Sequence, residues 1–110
     1  MNKQIAITIL KQIGGKALFM IGARKPKSMI ALDNGVIFKV GKNSKRINKI
    51  KITLNSMDTY DVEYWHSVKS FKVYKQEFED KSKLISSESG IYNDGLRDSI
   101  ERNTGLYTSL

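Results

Sequence analysis

The stretch Met29-Ile30-Ala31-Leu32-Asp33-Asn34-Gly35-Val36-Ile37-Phe38-Lys39-Val40 sets two short apolar runs on either side of a turn-forming centre. Asn34-Gly35 suits the two central positions of a type I′ turn, where both backbones need positive φ and the turn's twist matches its strands, so a β-hairpin is predicted. Downstream, Gly41 to Arg46 is polar and basic and reads as the next turn. Ile50, Ile52 and Leu54 then alternate with Lys49, Lys51 and Thr53, the period of a strand with one face buried and one wet. After Asn55-Ser56-Met57-Asp58, Tyr60, Val62 and Tyr64 alternate with Asp61, Glu63 and Trp65, and a last strand is expected over Val68 to Tyr74. Gln76 to Gly90, rich in charge and serine, reads as an irregular excursion.

Upstream of the hairpin, Ala17 to Ile21 is short and continuously apolar and reads as a buried strand. It ends at Gly22 in the basic loop Ala23-Arg24-Lys25-Pro26-Lys27, where Pro26 forbids a central strand. Before it, Ile5, Ile9 and Ile13 recur at four-residue spacing beside Ala6 and Leu10, one apolar stripe on a helix that Gly14-Gly15 stops. From Ile91 onward, Tyr92, Leu96 and Ile100 fall at helical spacing, with Ser89 or Asn93 as N-caps, Arg102 in the last turn and Gly105 as the stop. Gly95 inside that helix costs it about 1 kcal/mol relative to alanine. The reading is one α+β domain over 1–110, an antiparallel sheet of five or six strands flanked by an N-terminal and a C-terminal helix.

A chain of 110 residues that is 40% apolar can fold around a thin core of its own. Having no cysteine, it has no disulfide, no thiolate zinc site and no thiol nucleophile, and a single histidine excludes a multi-histidine metal site. The first apolar stretch, Ile5 to Leu10, breaks at Lys11-Gln12, too short for a membrane span or a signal peptide. The expectation is a soluble cytoplasmic protein that needs no cofactor and no membrane.

Charge is divided unevenly. Residues 1–57 carry ten Lys and two Arg against the single acid Asp33, a net +11, whereas 58–110 carry seven bases against ten acids, a net −3. A basic half of that density draws polyanions and steers their association. Arg24, Lys25, Lys27, Lys42, Lys45, Arg46, Lys49 and Lys51 converge if the loop after the first strand and the turn after the hairpin share one end of the sheet, and there they would neutralise phosphates. Tyr60, Tyr64, Trp65, Phe71 and Tyr74 offer stacking faces for unpaired bases, although alternation assigns some of them to the core.

Catalytic signals are thin. His66 is the only imidazole, no G-x-S-x-G elbow accompanies the serines, and a strand-end histidine beside aromatics is more often a packing or hydrogen-bonding residue. Asp58, Asp61 and Glu63 with His66 form the one cluster that could support a small metal-dependent nuclease or hydrolase. Cross-strand pairing of Asp61 and Glu63 with Lys49 and Lys51 is the plainer account of those carboxylates. Glu79-Asp80-Lys81 has the E-x-K spelling of some nucleases without a rigid strand expected beneath it. Gly14-Gly15-Lys16 lacks the spacer and the Ser/Thr of a phosphate loop.

Four segments carry a resemblance: Ile9-Leu10-Lys11-Gln12-Ile13-Gly14-Gly15, Phe19-Met20-Ile21-Gly22-Ala23, Leu54-Asn55-Ser56-Met57-Asp58-Thr59-Tyr60 and Thr104-Gly105-Leu106-Tyr107-Thr108-Ser109-Leu110. Through them the chain resembles a family of small uncharacterised proteins encoded by bacteriophages and bacterial mobile elements, without an assigned activity. The resemblance implies a mobile-element accessory gene, a pool that includes inhibitors of host defence such as anti-CRISPR proteins. The functional expectation is a non-enzymatic inhibitor whose basic surface contacts nucleic acid or a ribonucleoprotein nuclease. The alternatives are the metal-dependent nuclease or hydrolase, a general nucleic-acid-binding accessory protein, and a homodimer formed through an exposed strand edge.

Overall fold

Five antiparallel strands form a meander, each paired with its neighbours in sequence. The computed structural model describes residues 4–23, 29–72 and 77–106, over 67–72 and 77–82 by backbone alone. The strands are β1 (Ile30–Leu32), β2 (Gly35–Lys39), β3 (Lys49–Leu54), β4 (Tyr60–Lys72) and β5 (Glu77–Ile91). Two helices precede them, α1 (Gln4–Ile13) and α2 (Gly15–Met20); a 3₁₀ turn (Asn93–Gly95) and α3 (Leu96–Thr104) follow. This is the α+β architecture expected, with a five-stranded antiparallel sheet between N-terminal and C-terminal helices.

Strand alternation builds the core. Val36, Phe38, Ile50, Ile52, Tyr60, Val62 and Tyr64 are buried beneath the helices, which contribute Ala6, Ile9 and Ile13 from α1, Ala17 and Leu18 from α2, and Leu96 and Ile100 from α3. Each fully buried large aliphatic side chain is worth about 1.5–3 kcal/mol. The polar groups that enter this layer are paired. Tyr64 OH donates to Ser99 Oγ at 2.7 Å, and Ser99 Oγ donates to Glu88 Oε1 at 3.0 Å. Asn103 Nδ2 also donates to Glu88, whose other oxygen meets Arg102 Nη2 at 3.2 Å. The network ties α3 to β4 and β5. Burial raises the Tyr64 and Tyr60 phenols above the ordinary tyrosine value, against the lowering pull of hydrogen bonds to Ser99 and Gln12 respectively.

Several local expectations change. Ala17 to Ile21 is not a strand: α2 runs through it, because Ala17, Leu18 and Ile21 share the spacing of one helical face while Phe19 points outward at 59% exposure. A short apolar run has no period by which to tell the two apart. The strand expected to begin at Val68 is the continuation of β4 as far as Lys72; Val73 and Tyr74 lie outside the described residues. The excursion expected over Gln76 to Gly90 is, from Glu77, the long strand β5, registered against β4 from Ile91 opposite Tyr60 to Glu77 opposite Lys72. The ladder to β4 satisfies the backbone groups on one side of this edge strand, and it forms without a continuous apolar face. Tyr92 lies before α3 and is 68% exposed, not part of the helical stripe.

The hairpin forms, but with another turn. Leu32 pairs with Gly35, so Asp33 and Asn34 are the loop residues, and neither Asn34 nor Gly35 has positive φ. Gly35 is required for a different reason: a Cβ there would run into the Ile52 carbonyl oxygen and lie 2.8 Å from Thr53 Cα. A second close approach sits at the opposite end of β2, where Gly22 at φ +85 abuts Gly41 and Gly41 N–H donates to Ile21 O at 2.8 Å.

Candidate nucleic-acid interface

The helices cover one face of the sheet. On the other, register aligns side chains in rows across β2, β3 and β4. Ile37 lies opposite Lys51 and Lys51 opposite Glu63; Lys39 lies opposite Lys49 and Lys49 opposite Trp65. Lys39 is exposed, and Lys49, Lys51 and Trp65 are half-buried. Like charges directly opposite each other destabilise a sheet. The Lys39–Lys49 pair therefore carries a cost that an anion lying across the two strands would remove. Among the described residues no carboxylate forms an ion pair with either lysine; the ion pairs there hold Arg102 to Glu88 and Asp98. Trp65 Nε1 donates to Glu63 Oε1 at 3.2 Å, so the indole leans along its own strand.

The same row runs into the loop between β2 and β3. Val40 N–H donates to Asn48 O at 3.2 Å and Asn48 N–H to Trp65 O at 3.0 Å, which anchor both ends of the loop to the sheet. Asn43 shapes the interior: its Nδ2 donates to Gly41 O at 3.0 Å and Ile47 O at 2.6 Å, and its Oδ1 accepts from Lys45 N–H at 3.2 Å and Ile47 N–H at 3.1 Å. One asparagine thus replaces the ladder that the loop lacks. Lys42, Lys45 and Arg46 project from it, all exposed. Arg46 adopts φ +61, a left-handed conformation unusual for a side chain of its size. His66 Nδ1 lies 2.7 Å from Arg46 O; a carbonyl oxygen only accepts, so Nδ1–H is the donor, and Nε2 is left as the ring's other hydrogen-bonding atom. Val40, Gly41, Lys42, Asn43, Arg46, Ile47, Asn48 and His66 enclose a shallow pocket of about 330 Å³.

Of the eight basic residues expected to form the interface, five fall into this arrangement: Lys49 and Lys51 on the open face, Lys42, Lys45 and Arg46 on the adjoining loop. Arg24, Lys25 and Lys27 lie outside the described residues. The aromatics separate. Tyr60 and Tyr64 belong to the core and Trp65 to the open face; the Phe71 side chain and Tyr74 are outside what is described.

The chain matches no family model, no curated protein and no solved structure. Its function must be read from its own residues.

The carboxylates proposed for metal chemistry are engaged separately. Asp61 Oδ1 accepts from Asn55 Nδ2 at 3.0 Å, and Glu63 accepts from Trp65. Asp58 is exposed in the β3–β4 turn at φ +60, while His66 faces the Arg46 loop. Among the described residues no group of three or more His, Asp or Glu side chains could hold a metal ion. The expected pairing of Lys51 with Glu63 across the strands matches the register, whereas Lys49 faces Trp65 and Asp61 faces Thr53. Sequence reading missed Lys39, since nothing short of the β2–β3 register reveals that it faces Lys49. It also missed that His66, distant in sequence, completes the basic loop. Among the described residues no helix is long and apolar enough to cross a membrane.

Proposed function

We propose that the protein is a non-enzymatic binding protein whose basic surface engages nucleic acid, free or held by a ribonucleoprotein nuclease. The observation that carries this reading is the unpaired Lys39–Lys49 opposition beside Trp65, continuous with the Lys42, Lys45 and Arg46 loop. Lysines and arginines so arranged neutralise successive phosphates and release their counterions, while an indole at the edge of the row supplies a stacking face for an unpaired base. The mobile-element resemblance supports inhibition of host defence as the biological use.

Trp65 is the only tryptophan, so its fluorescence reports directly on the site. Single-stranded DNA or RNA should quench it saturably, and the triple variant Lys39→Gln, Lys49→Gln, Lys51→Gln should bind at least about ten-fold more weakly, a loss of about 1.4 kcal/mol or more. Equal binding by the variant, with normal folding, would reject this surface. Inhibition of a guide-loaded nuclease, lost in the same variant, would tie the surface to the biological use.

A further inference from the structure

The loop pocket differs in character from the open sheet face. Val40 gives it an apolar wall over the buried Ile47, Lys42, Arg46 and His66 supply charged and polar groups, and no acidic residue lines it. Asn43 is not available to a ligand through its amide, because both ends of that side chain are committed to the loop. The backbone at Arg46 is the second observation. A left-handed φ of +61 suits glycine or asparagine, and an arginine there persists only because Asn43 and His66 hold the residues and carbonyl around it. Strain retained at an exposed cationic position points to a role for the guanidinium that a small residue would not serve.

We propose, building on the nucleic-acid reading above, that this pocket takes the phosphorylated terminal nucleotide of a strand. Its phosphomonoester meets Lys42 and Arg46, and its nucleoside lies against Val40 and the ring of His66. Charge favours an end over the interior of a strand. A phosphomonoester carries about −1.5 to −2 at pH 7, against −1 for a backbone diester, and two adjacent cations suit the former. Size is compatible: about 330 Å³ lies near the lower end of the roughly 300–1,000 Å³ typical of small-molecule sites, room for one nucleotide.

The single histidine makes the test specific, because its ring resonances need no assignment among others. Inorganic phosphate, a nucleoside 5′-monophosphate and matched single strands with a 5′-phosphate, a 3′-phosphate or neither are titrated at constant ionic strength while the His66 ring signals are followed by NMR. A saturable shift with the nucleoside monophosphate and with a phosphorylated strand is expected, at least about ten-fold weaker for the unphosphorylated strand. Arg46→Gly, which relieves the backbone and should fold at least as well as the parent, should remove that preference. Equal affinity for phosphorylated and unphosphorylated strands overturns end recognition. Inorganic phosphate as effective as the nucleotide overturns the role of Val40 and the His66 ring in holding the nucleoside. If the His66 signals stay silent while fluorescence still reports binding of the strand, the pocket inference fails and the surface reading stands; if neither responds, both fail.

Discussion

On the helix side of the sheet, the polar side chains that enter the interior find partners, as in the chain from Tyr64 through Ser99 to Glu88, and among the described residues no buried side-chain nitrogen or oxygen lacks one. On the open side, two lysines face each other across β2 and β3 with no carboxylate among the described residues paired to either, and an arginine sits in a backbone conformation that disfavours it. One face is arranged for stability and the other departs from that arrangement at neighbouring places. Departures that cluster are where a binding site is most economically sought, because a sequence consistent at every other level has no folding reason to keep them.

The contrast can be broken first from the core. Phe38 is fully buried, and Phe38→Ala should cost about 3–5 kcal/mol, read as a lowered midpoint in urea denaturation, while the folded fraction keeps its affinity for single strands. A next, smaller effect belongs to the loop. Asn43→Ala removes four hydrogen bonds and should cost about 2 kcal/mol. Unlike the core variant, it should also weaken binding among molecules that remain folded, because Lys42, Lys45 and Arg46 lose their common frame. Unchanged binding would separate the loop from the interface.

Smaller still is the hydroxyl of Tyr64. Tyr64→Phe should cost about 1 kcal/mol and leave binding untouched. Its ionisation gives a pH test of the same layer. The folded state raises the Tyr60 and Tyr64 phenols, so the unfolded chain loses these protons first, and stability should be intact below about pH 10 and fall as pH rises above it. Denaturation midpoints across pH 8 to 11 measure this. In the Tyr60→Phe, Tyr64→Phe double variant the alkaline fall should be shallower; an identical slope would mean that other groups control it.

How much of this was legible beforehand depended on whether the signal was periodic. Ile50 to Leu54 and Tyr60 to Tyr64 declared both the strand and its buried face, and Ile5, Ile9 and Ile13 did the same for α1. Ala17 to Ile21 had no period to read. β5 was invisible because its stability comes from a backbone ladder against β4 rather than from an apolar face of its own. Gly35 was noticed for a valid reason that proved not to operate: it admits β3, not a primed turn. Several residues of the four segments singled out in the sequence punctuate the fold. Gly14 at φ +94 separates α1 from α2, Asn55 organises the β3–β4 turn, and Thr104 with Gly105 closes α3. Within the candidate interface, the charges were readable one by one, but their arrangement was not, since the Lys39–Lys49 opposition and the His66–Arg46 contact exist only after the strands pair.

The central claim, that the open face and its loop form an electrostatic interface for nucleic acid, is tested most directly by the salt dependence of strand binding. Affinity of the wild-type protein and of the Lys39→Gln, Lys49→Gln, Lys51→Gln variant for one labelled single strand is measured between about 50 and 200 mM salt, where each neutralised phosphate contributes about 0.7 to the log–log slope for single strands. The account predicts a steep fall for the wild type and a slope shallower by about 2 in the variant, near-equal in thermal stability because glutamine keeps much of each lysine's stem and the Lys39–Lys49 opposition is removed. Wild-type affinity that does not change with salt, or a variant whose slope matches the wild type, would contradict it.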